Sequence, residues 1–555
     1  MNNKKDSSWR ELKWILKKSA VRLPAVFVMA LFAALVSVSF IVLALVSKQI
    51  LDIATGDLEG SLLYYGMVLL LIVIFQIVLS GAEHILKVYT EGKLTITFRN
   101  HLFGAVSHKK YSDLAAYHSG ELLNLFTSDT DVVVKGLVDI IPNVVSIIAK
   151  LISGIAALFI LDKRVAILVL ALGIVIPAFG RIVSKSYKQL HKKCQETEGA
   201  TRSFLQEFFE NIIVVKAFVS EKLFNLKLNE YLKTNFKVKM KRGYISTVIN
   251  LLLYAFFTLG YYGILLWGAG SISRGVMTYG TLMAFLQLIQ QLRAPLQNVS
   301  GILPQYYSAI ASAERLMALE QGETDKVANA REIKKLSCDF NSIEAKNITF
   351  GYDREKILEN CSFSVEKGKI TAVTGESGSG KSTIFKLLLG LYEVEEGSIT
   401  INGEVPLTTA HRGLFAYVPQ GNMVLSGTIR ENVTMCNEKV SDEEIEVALR
   451  AAEVYEVVSE LPEGLETHLT ERGGGLSEGQ LQRIAIARAL LTKAPVILLD
   501  EATSALDEEN ETKLLANIKA MSDKAVLFVT HRNTSLSVCD KIIYVRDKKF
   551  QVIKE

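Results

Sequence analysis

Residues 25–47 contain no charged side chain, and further apolar runs follow at about 61–83, 138–160, 165–180, 247–269 and 276–292. A helix rises 1.5 Å per residue, so about 20 residues cross a hydrocarbon layer about 30 Å thick. Within that layer there is no water for backbone N–H and C=O groups, and a helix satisfies them internally. Six membrane-spanning helices are therefore predicted, all before residue 300. The fourth run is short and contains Pro177, which blurs its edges. Helices buried in one large soluble core are the alternative, but such helices seldom run so far without a charge.

The segment before the first run carries Lys4, Lys5, Arg10, Lys13, Lys17, Lys18 and Arg22 against Asp6 and Glu11. Basic residues beside a span favour the cytoplasmic side, so the N-terminus is expected inside. Alternation then puts the links 52–60, 161–164 and 270–275 outside and the links 84–137 and 182–246 inside. Arg181, Lys185, Lys188, Lys192 and Lys193 agree with that orientation, as do Asp52, Asp57 and Glu59 in the first outer link. A signal peptide would have a shorter apolar core and a small-residue cleavage site, so the first run is read as a retained span. This clustering of Lys and Arg beside membrane ends accounts for the net charge of +4, and no nucleic-acid partner is expected. Cys194, Cys338, Cys361, Cys436 and Cys539 all fall on the inner side, where disulfides are disfavoured, and their spacing offers no metal site.

Single cores rarely grow past about 300 residues, so 555 residues imply more than one domain. The inner links alternate apolar and charged residues with helical period, which extends the membrane helices well into the cytoplasm. After residue 300 the chain turns polar at Gln321-Gly322-Glu323-Thr324-Asp325-Lys326. The expected division is a cytoplasmic segment at 1–24, a membrane domain at 25–320, a linker at 321–338 and a soluble domain at 339–555.

The soluble part carries Gly375-Glu376-Ser377-Gly378-Ser379-Gly380-Lys381-Ser382-Thr383. Glycines at these positions let successive N–H groups point at phosphates, Lys381 reaches the β- and γ-phosphates, and the Ser382 hydroxyl is placed to ligate Mg²⁺. Residues 369–374 read as a strand entering the loop and 384–389 as the helix leaving it, with its N-terminus toward the anion. A second element, Pro495-Val496-Ile497-Leu498-Leu499-Asp500-Glu501, reads as a buried strand ending in two carboxylates. Asp500 suits the Mg²⁺ shell and Glu501 suits orienting the attacking water. An acidic strand end facing solvent is the bland alternative. Between the two elements lies Leu476-Ser477-Glu478-Gly479-Gln480, followed by a helix-like run at 481–491.

This ordered set of motifs resembles the ATP-binding cassette (ABC) exporters of the half-transporter type, like bacterial multidrug and lipid exporters. The resemblance covers nearly the whole chain. It implies a multi-domain fold, in which a six-helix transmembrane domain with long cytoplasmic extensions is fused to an α/β P-loop ATPase domain. It further implies ATP and Mg²⁺ as cofactors and a place in the bacterial cytoplasmic membrane. Carried over residue by residue, Tyr352 matches the aromatic that stacks on adenine. Gly375, Ser377, Gly378, Gly380, Lys381, Ser382 and Thr383 form the phosphate loop, and Ser477, Gly479 and Gln480 the signature. Gln420, in Tyr417-Val418-Pro419-Gln420, resembles the glutamine at Mg²⁺ or water, and Glu471-Arg472 the short acidic element before the signature. Asp507 matches the residue facing across the dimer, and His531 the switch histidine near the γ-phosphate. Tyr117 through Leu122 with Asp129 and Asp131 resembles the first inner-link element, with a coupling helix at about 110–117. Glu210, residues 215–218 and Glu221 resemble the second. Taken without the resemblance, those stretches are polar helix turns.

Two departures stand out. Glu478 occupies a position where the family most often has glycine, and the segment from Val405 to Gly413 is short. No residue that would mark a dead site is missing, which favours a homodimer over a heterodimer with a related half-transporter. The implied function is ATP-driven export, or inner-to-outer leaflet translocation, of an amphipathic small molecule, lipid or peptide by alternating access in a dimer. A fused importer and one half of a heterodimeric exporter are the alternatives. Glu83, His84 and Arg293 lie near predicted span ends. Gln76, Tyr261, Tyr262, Gln287, Gln290 and Gln291 suit either a cavity lining or interhelical hydrogen bonds.

Overall fold

The computed structural model describes residues 3–554 except 327–328, 353–354, 377, 422–423 and 471–474. At 3–8, 168–188, 191, 253, 294–300, 303 and 533 it describes the backbone alone. Ser377, Glu471 and Arg472, and the side chains of Pro177, Arg181, Lys185 and Lys188, therefore lie outside the described residues. The chain divides into two compact units, one of Met1–Phe103 with Gly120–Glu320 and one of Gly104–Ser119 with Gln321–Glu555.

To residue 320 the chain is helical: α1 (Asn3–Lys18), α2 (Leu23–Ala54), α3 (Leu62–Ser107), α4 (Tyr111–Leu114), α5 (Ser119–Asn124), α6 (Thr130–Leu161), α7 (Lys163–Glu210), α8 (Ile212–Ala217), α9 (Glu221–Ile272) and α10 (Tyr279–Glu320). Helix α9 has 52 residues, or about 78 Å at 1.5 Å each, more than twice a hydrocarbon layer. Among the described residues four helical stretches are long and apolar enough to span a membrane, at 20–54, 62–107, 119–161 and 221–272. They contain the first, second, third and fifth predicted spans. The fourth and sixth fall on α7 and α10, which pass through side chains outside the description.

Helices α2, α6 and α10 pack against one another, and small residues let them approach, as lipid offers no hydrophobic drive for helix pairing. A Cβ on Gly154 would stand 2.8 Å from Leu292 Cδ2, and one on Gly136 would stand 2.6 Å from Ala309 Cβ. Ser37 and Ser146 share a hydrogen bond of 2.7 Å between α2 and α6. Buried Asp129 accepts from Ser312 Oγ at 2.7 Å and Arg315 Nε at 2.9 Å, which fixes the π-helical turn Leu125–Asp129 against α10. Ionisable groups are not confined to span ends: Lys150 lies within α6 with Nζ 5.0 Å from the Phe40 ring centroid. Gln291 donates to the Phe40 carbonyl at 3.0 Å, an interhelical bond, whereas Gln287, Gln290 and Tyr262 are exposed.

In the second unit, residues 108–110 pair with 323–325. Lys110 N–H donates to Glu323 O at 3.0 Å, and Asp325 N–H donates to His108 O at 2.8 Å. The Lys110 ammonium reaches Glu393 at 2.8 Å, and the Tyr111 ring lies edge-on to Tyr392 at 5.9 Å. The helix expected at about 110–117 is the shorter α4. Helix α11 (Ala330–Cys338) starts where Asn329 Oδ1 accepts from Arg331 N–H at 3.1 Å, a capping interaction.

The strands are β1 (Ser342–Tyr352), β2 (Glu355–Glu366), β3 (Ile370–Gly375), β4 (Glu396–Ile401), β5 (Val405–Pro406), β6 (Phe415–Val418), β7 (Gly427–Thr428), β8 (His468–Leu469), β9 (Val496–Asp500), β10 (Ala525–Val529), β11 (Lys541–Arg546) and β12 (Lys549–Lys554). The remaining helices are α12 (Lys381–Leu388), α13 (Ile429–Thr434), α14 (Asp442–Ala451), α15 (Tyr455–Ser459), α16 (Glu478–Leu491), α17 (Glu508–Ala520) and α18 (Asn533–Val538). The main sheet has the order β12-β11-β3-β10-β9-β6, parallel except for edge strand β12. A smaller antiparallel sheet has the order β2-β1-β4-β5. Strand side chains alternate faces, and both faces of the parallel sheet are covered. Ile497 and Leu499 join one hydrophobic core while Val496 and Leu498 join the other, and β10 divides likewise into Val526 and Phe528 against Leu527 and Val529. This is why the apolar run at 496–499 has no polar side.

Candidate nucleotide site

Parallel pairing sends β3, β10, β9 and β6 toward one edge with their C-terminal ends level. Val529 lies opposite both Val373 and Asp500, and Val418 opposite Leu499. The turns leaving those four strands carry the phosphate loop, His531, Glu501 and Gln420. Ligands in open α/β sheets bind at this edge.

Gly375 has φ 150° and Gly380 φ 97°, backbone that favours glycine. At Gly380 a Cβ would also stand 2.6 Å from Ile357 Cγ2. Gly378, with φ 78°, has open space beside it, so its requirement is conformational. The loop opens directly into α12, where Thr383 N–H donates to the Gly380 carbonyl at 3.1 Å, while the N–H groups of Lys381 and Ser382 come too early in the helix for intrahelical partners. Lys381 is buried and curls over the loop, donating to the carbonyls of Gly375 at 3.1 Å and Glu376 at 2.8 Å. Burial lowers its pKa, which Glu501 and Asp500 oppose. Ser379 Oγ is buried in this loop without a hydrogen-bond partner, a polar group suited to an anionic ligand.

Ser382 Oγ donates to Asp500 Oδ1 at 3.0 Å. Asp500 is buried, and burial raises its carboxyl pKa, with Ser382 acting the other way and Glu501 reinforcing it. The Tyr417 phenol lies beside Asp500, and burial followed by that neighbouring charge pushes it well above the usual phenol range. Gln420 Nε2 donates to Glu501 Oε2 at 2.7 Å, and His531 Nε2 lies 3.7 Å from Glu501 Oε1. Glu501 has φ 49°, a left-handed conformation that a non-glycine residue adopts at a cost of about 1–3 kcal/mol and that clusters at functional sites. Among the described residues no group of three or more His, Cys, Asp and Glu is placed to hold a metal. A hydroxyl beside one carboxylate is nevertheless a donor set that fits Mg²⁺, which takes one or two protein oxygens and completes its shell with phosphate oxygens and water.

Tyr352 ends β1 with its hydroxyl 3.4 Å from Thr383 Oγ1. Phe350 and Tyr392 meet its ring edge-on at 5.0 and 5.2 Å, and Lys386 Nζ lies 5.6 Å from its centroid. Ser477 caps α16: its Oγ accepts from Gln480 N–H at 3.3 Å, and Gln480 Oε1 accepts from Ser477 N–H at 2.8 Å. Glu478 falls in the first turn of that helix, where a carboxylate is favoured by the helix dipole. A Cβ on Gly479 would stand 2.7 Å from Ala505 O, so close approach to the 502–507 loop demands glycine. Asp507 caps α17, accepting from Asn510 N–H at 2.8 Å, and this hydrogen bond lowers its pKa.

The structure thus gathers Lys381, Ser382, Asp500, Glu501, Gln420 and His531, with Tyr352 against Thr383. No described hydrogen bond or ion pair joins Ser477, Gly479 or Gln480 to the phosphate loop of the same chain. Sequence reasoning missed Tyr417 as a partner of Asp500. It sits inside the quoted stretch at Gln420, but nothing in that stretch says which way its ring turns.

The family model of the ABC transporter transmembrane region matches residues 26–296, and the ABC transporter model matches residues 358–504. The chain is 30% identical over 468 residues to an ATP-dependent lipid A-core flippase of Desulfotalea psychrophila, covering 82% of this chain and 80% of that protein. The chain belongs to the ABC transporter family. It is 29% identical to a probable ABC transporter ATP-binding/permease protein of Haemophilus influenzae, covering 83% and 84% of the two chains. The transporter also shares its fold with a bacterial Atm1-family ABC exporter solved with ATP bound, with a TM-score of 0.78, 23% identity and coverage of 96% and 94%. The transporter is an ATP-binding, ATP-hydrolysing membrane protein.

Proposed function

We propose that the transporter moves an amphipathic molecule, whether lipid, small compound or peptide, outward across the bacterial cytoplasmic membrane or from its inner to its outer leaflet, by alternating access in a homodimer. The carrying observation is that one sheet edge holds Lys381, Ser382, Asp500, Glu501, Gln420 and His531 together in a single chain. Two copies would then form two competent sites. The lipid substrate named for the flippase relatives supports an amphipathic cargo.

In this reading the adenine lies on Tyr352 and the phosphates lie in the loop at 375–383, with Ser377 and Thr383 contributing. Lys381 leaves the carbonyls of its own loop for the β- and γ-phosphates. Ser382 and Asp500 would hold Mg²⁺, with Gln420 at its water shell, and the ion when bound would neutralise phosphate charge. Glu501 orients and polarises the attacking water, and His531 holds the γ-phosphate side. Ser477, Gly479 and Gln480 close over the ATP of the opposite copy, with Asp507 facing across the pair. Six spans, in α2, α3, α6, α7, α9 and α10, form a membrane domain at 25–320, with the N-terminus and the ATPase domain at 339–555 in the cytoplasm. ATP biases the two membrane states only through its different affinity for each.

The test is reconstitution in liposomes with a panel of lipids, peptides and hydrophobic compounds, reading stimulated ATP hydrolysis. Any stimulating compound is then followed in inverted vesicles. ATP-dependent accumulation inside those vesicles is expected, and ATP-dependent depletion would establish import.

A further inference from the structure

The loop at 502–507 joins Glu501 to Asp507 and is held from three directions. Gln482, buried on α16, donates to Ser504 Oγ at 3.3 Å and accepts from Ala505 N–H at 3.2 Å. Thr503 Oγ1 donates to Glu511 Oε1 at 2.7 Å. From the third side Arg532, the residue directly after His531, sends Nη2 to Ser504 O at 2.8 Å and Nη1 to Leu506 O at 2.7 Å. The same Nη1 meets Glu511 Oε2 at 2.8 Å, and Glu511 is 1% exposed. One guanidinium therefore bridges two loop carbonyls and a buried carboxylate, a task for a planar fork of five donors and not for the point charge of an ammonium.

We propose that Arg532 is a positioning residue that ties loop 502–507, and so Asp507, to the turn carrying His531. A shift of His531 on the γ-phosphate side of one site then moves the loop that faces the other copy. This inference rests on the dimeric reading above. The competing role for Arg532 is only to neutralise buried Glu511, which any cation in that place would do.

Arg532→Lys separates the two roles, since it keeps a cation beside Glu511 and loses the fork. In the full-length transporter in liposomes it should unfold within a few degrees of the parent, since only the loop hydrogen bonds are lost, and keep a KM for ATP within about twofold, while kcat falls about tenfold. Arg532→Gln should lose turnover equally and also unfold at lower temperature, because Glu511 is left without a counter-charge. A Lys variant with kcat within about twofold of the parent, or one that loses ATP affinity in step with kcat, overturns the proposal. The dimeric reading is tested apart, in Glu501→Gln protein with Arg532 intact. Failure of that protein to trap ATP between two chains defeats the dimer, whereas trapping together with an undiminished Arg532→Lys defeats the Arg532 role alone.

Discussion

Exchanging Glu501 for Gln separates chemistry from folding. The carboxylate accepts from Gln420 Nε2 at 2.7 Å and faces His531 at 3.7 Å, with its side chain 27% exposed. An amide of the same shape still accepts from Gln420, so that bond, worth about 0.5–1.5 kcal/mol, is kept. At this exposure the His531 contact is worth about 0–1 kcal/mol, and losing it moves Tm by about 2–4 °C at most in a domain of this size. The charge that orients and polarises water is lost altogether. A positioned proton-transfer group contributes about 10²–10⁴ in rate, or about 2.7–5.4 kcal/mol in barrier. The chemical loss thus exceeds the folding loss severalfold. Hydrolysis in liposomes, thermal unfolding and ATP retention after rapid desalting should be measured on one preparation. The variant should retain ATP, unfold within a few degrees of the parent and turn over at about one-hundredth of its rate or less. A rate within about twofold of the parent would remove Glu501 from this role, and collapse of stability together with ATP retention would make the carboxylate a structural group.

If Ser477 acts on ATP held by the opposite copy, Ser477→Ala and Lys381→Ala chains should each be poorly active. Mixed, they place both lesions in one of the two sites. The mixed dimer should regain some hydrolysis and trap one nucleotide, and the same trapping stoichiometry in an isolated monomer would defeat the cross-copy site. Asp500 offers a test by pH. Burial raises its carboxyl pKa in the folded chain, so its contribution to stability is complete below the unfolded value near about 4 and is lost as pH rises through the folded value. Nucleotide-free Asp500→Asn should therefore unfold at a higher temperature than the parent at neutral pH, with the gap closing toward about pH 4 and hydrolysis abolished. A lower unfolding temperature at neutral pH would refute the account of that carboxylate.

The local pieces of the site were legible because each is written in a short stretch. The strand expected at 369–374 is β3, the apolar run before Asp500 is β9, and the helix expected at 481–491 is the body of α16. Helix starts were harder to place. The sequence marks Ser477 as part of the signature, whereas the structure shows it also closing a capping box with Gln480, so the helix begins at Glu478 rather than after Gln480. Glu478, a departure from the family pattern, is in local terms a favourable first-turn acid. The helix expected at 110–117 is cut to Tyr111–Leu114, and the stretch before it pairs its backbone with 323–325, a partner more than 200 residues away that no local period encodes.

The sequence by itself determined where the chain must be helical in lipid, since backbone groups there have no other partner. It also marked the glycine-rich stretch at 375–383, where the structure gives Gly375 and Gly380 backbone that favours glycine. What it left open is every contact set by strand order. Ser382 and Asp500 stand 118 positions apart, and Gln420 and Glu501 stand 81 apart. They meet because parallel pairing of β3, β10, β9 and β6 levels the strand ends. The side-chain fork of Arg532, the turn of Tyr417 toward Asp500 and the approach of Gly479 to Ala505 were likewise decided by the tertiary structure. A periodic pattern fixes which face of an element is buried, but only the packed sheet fixes which other element lies against it.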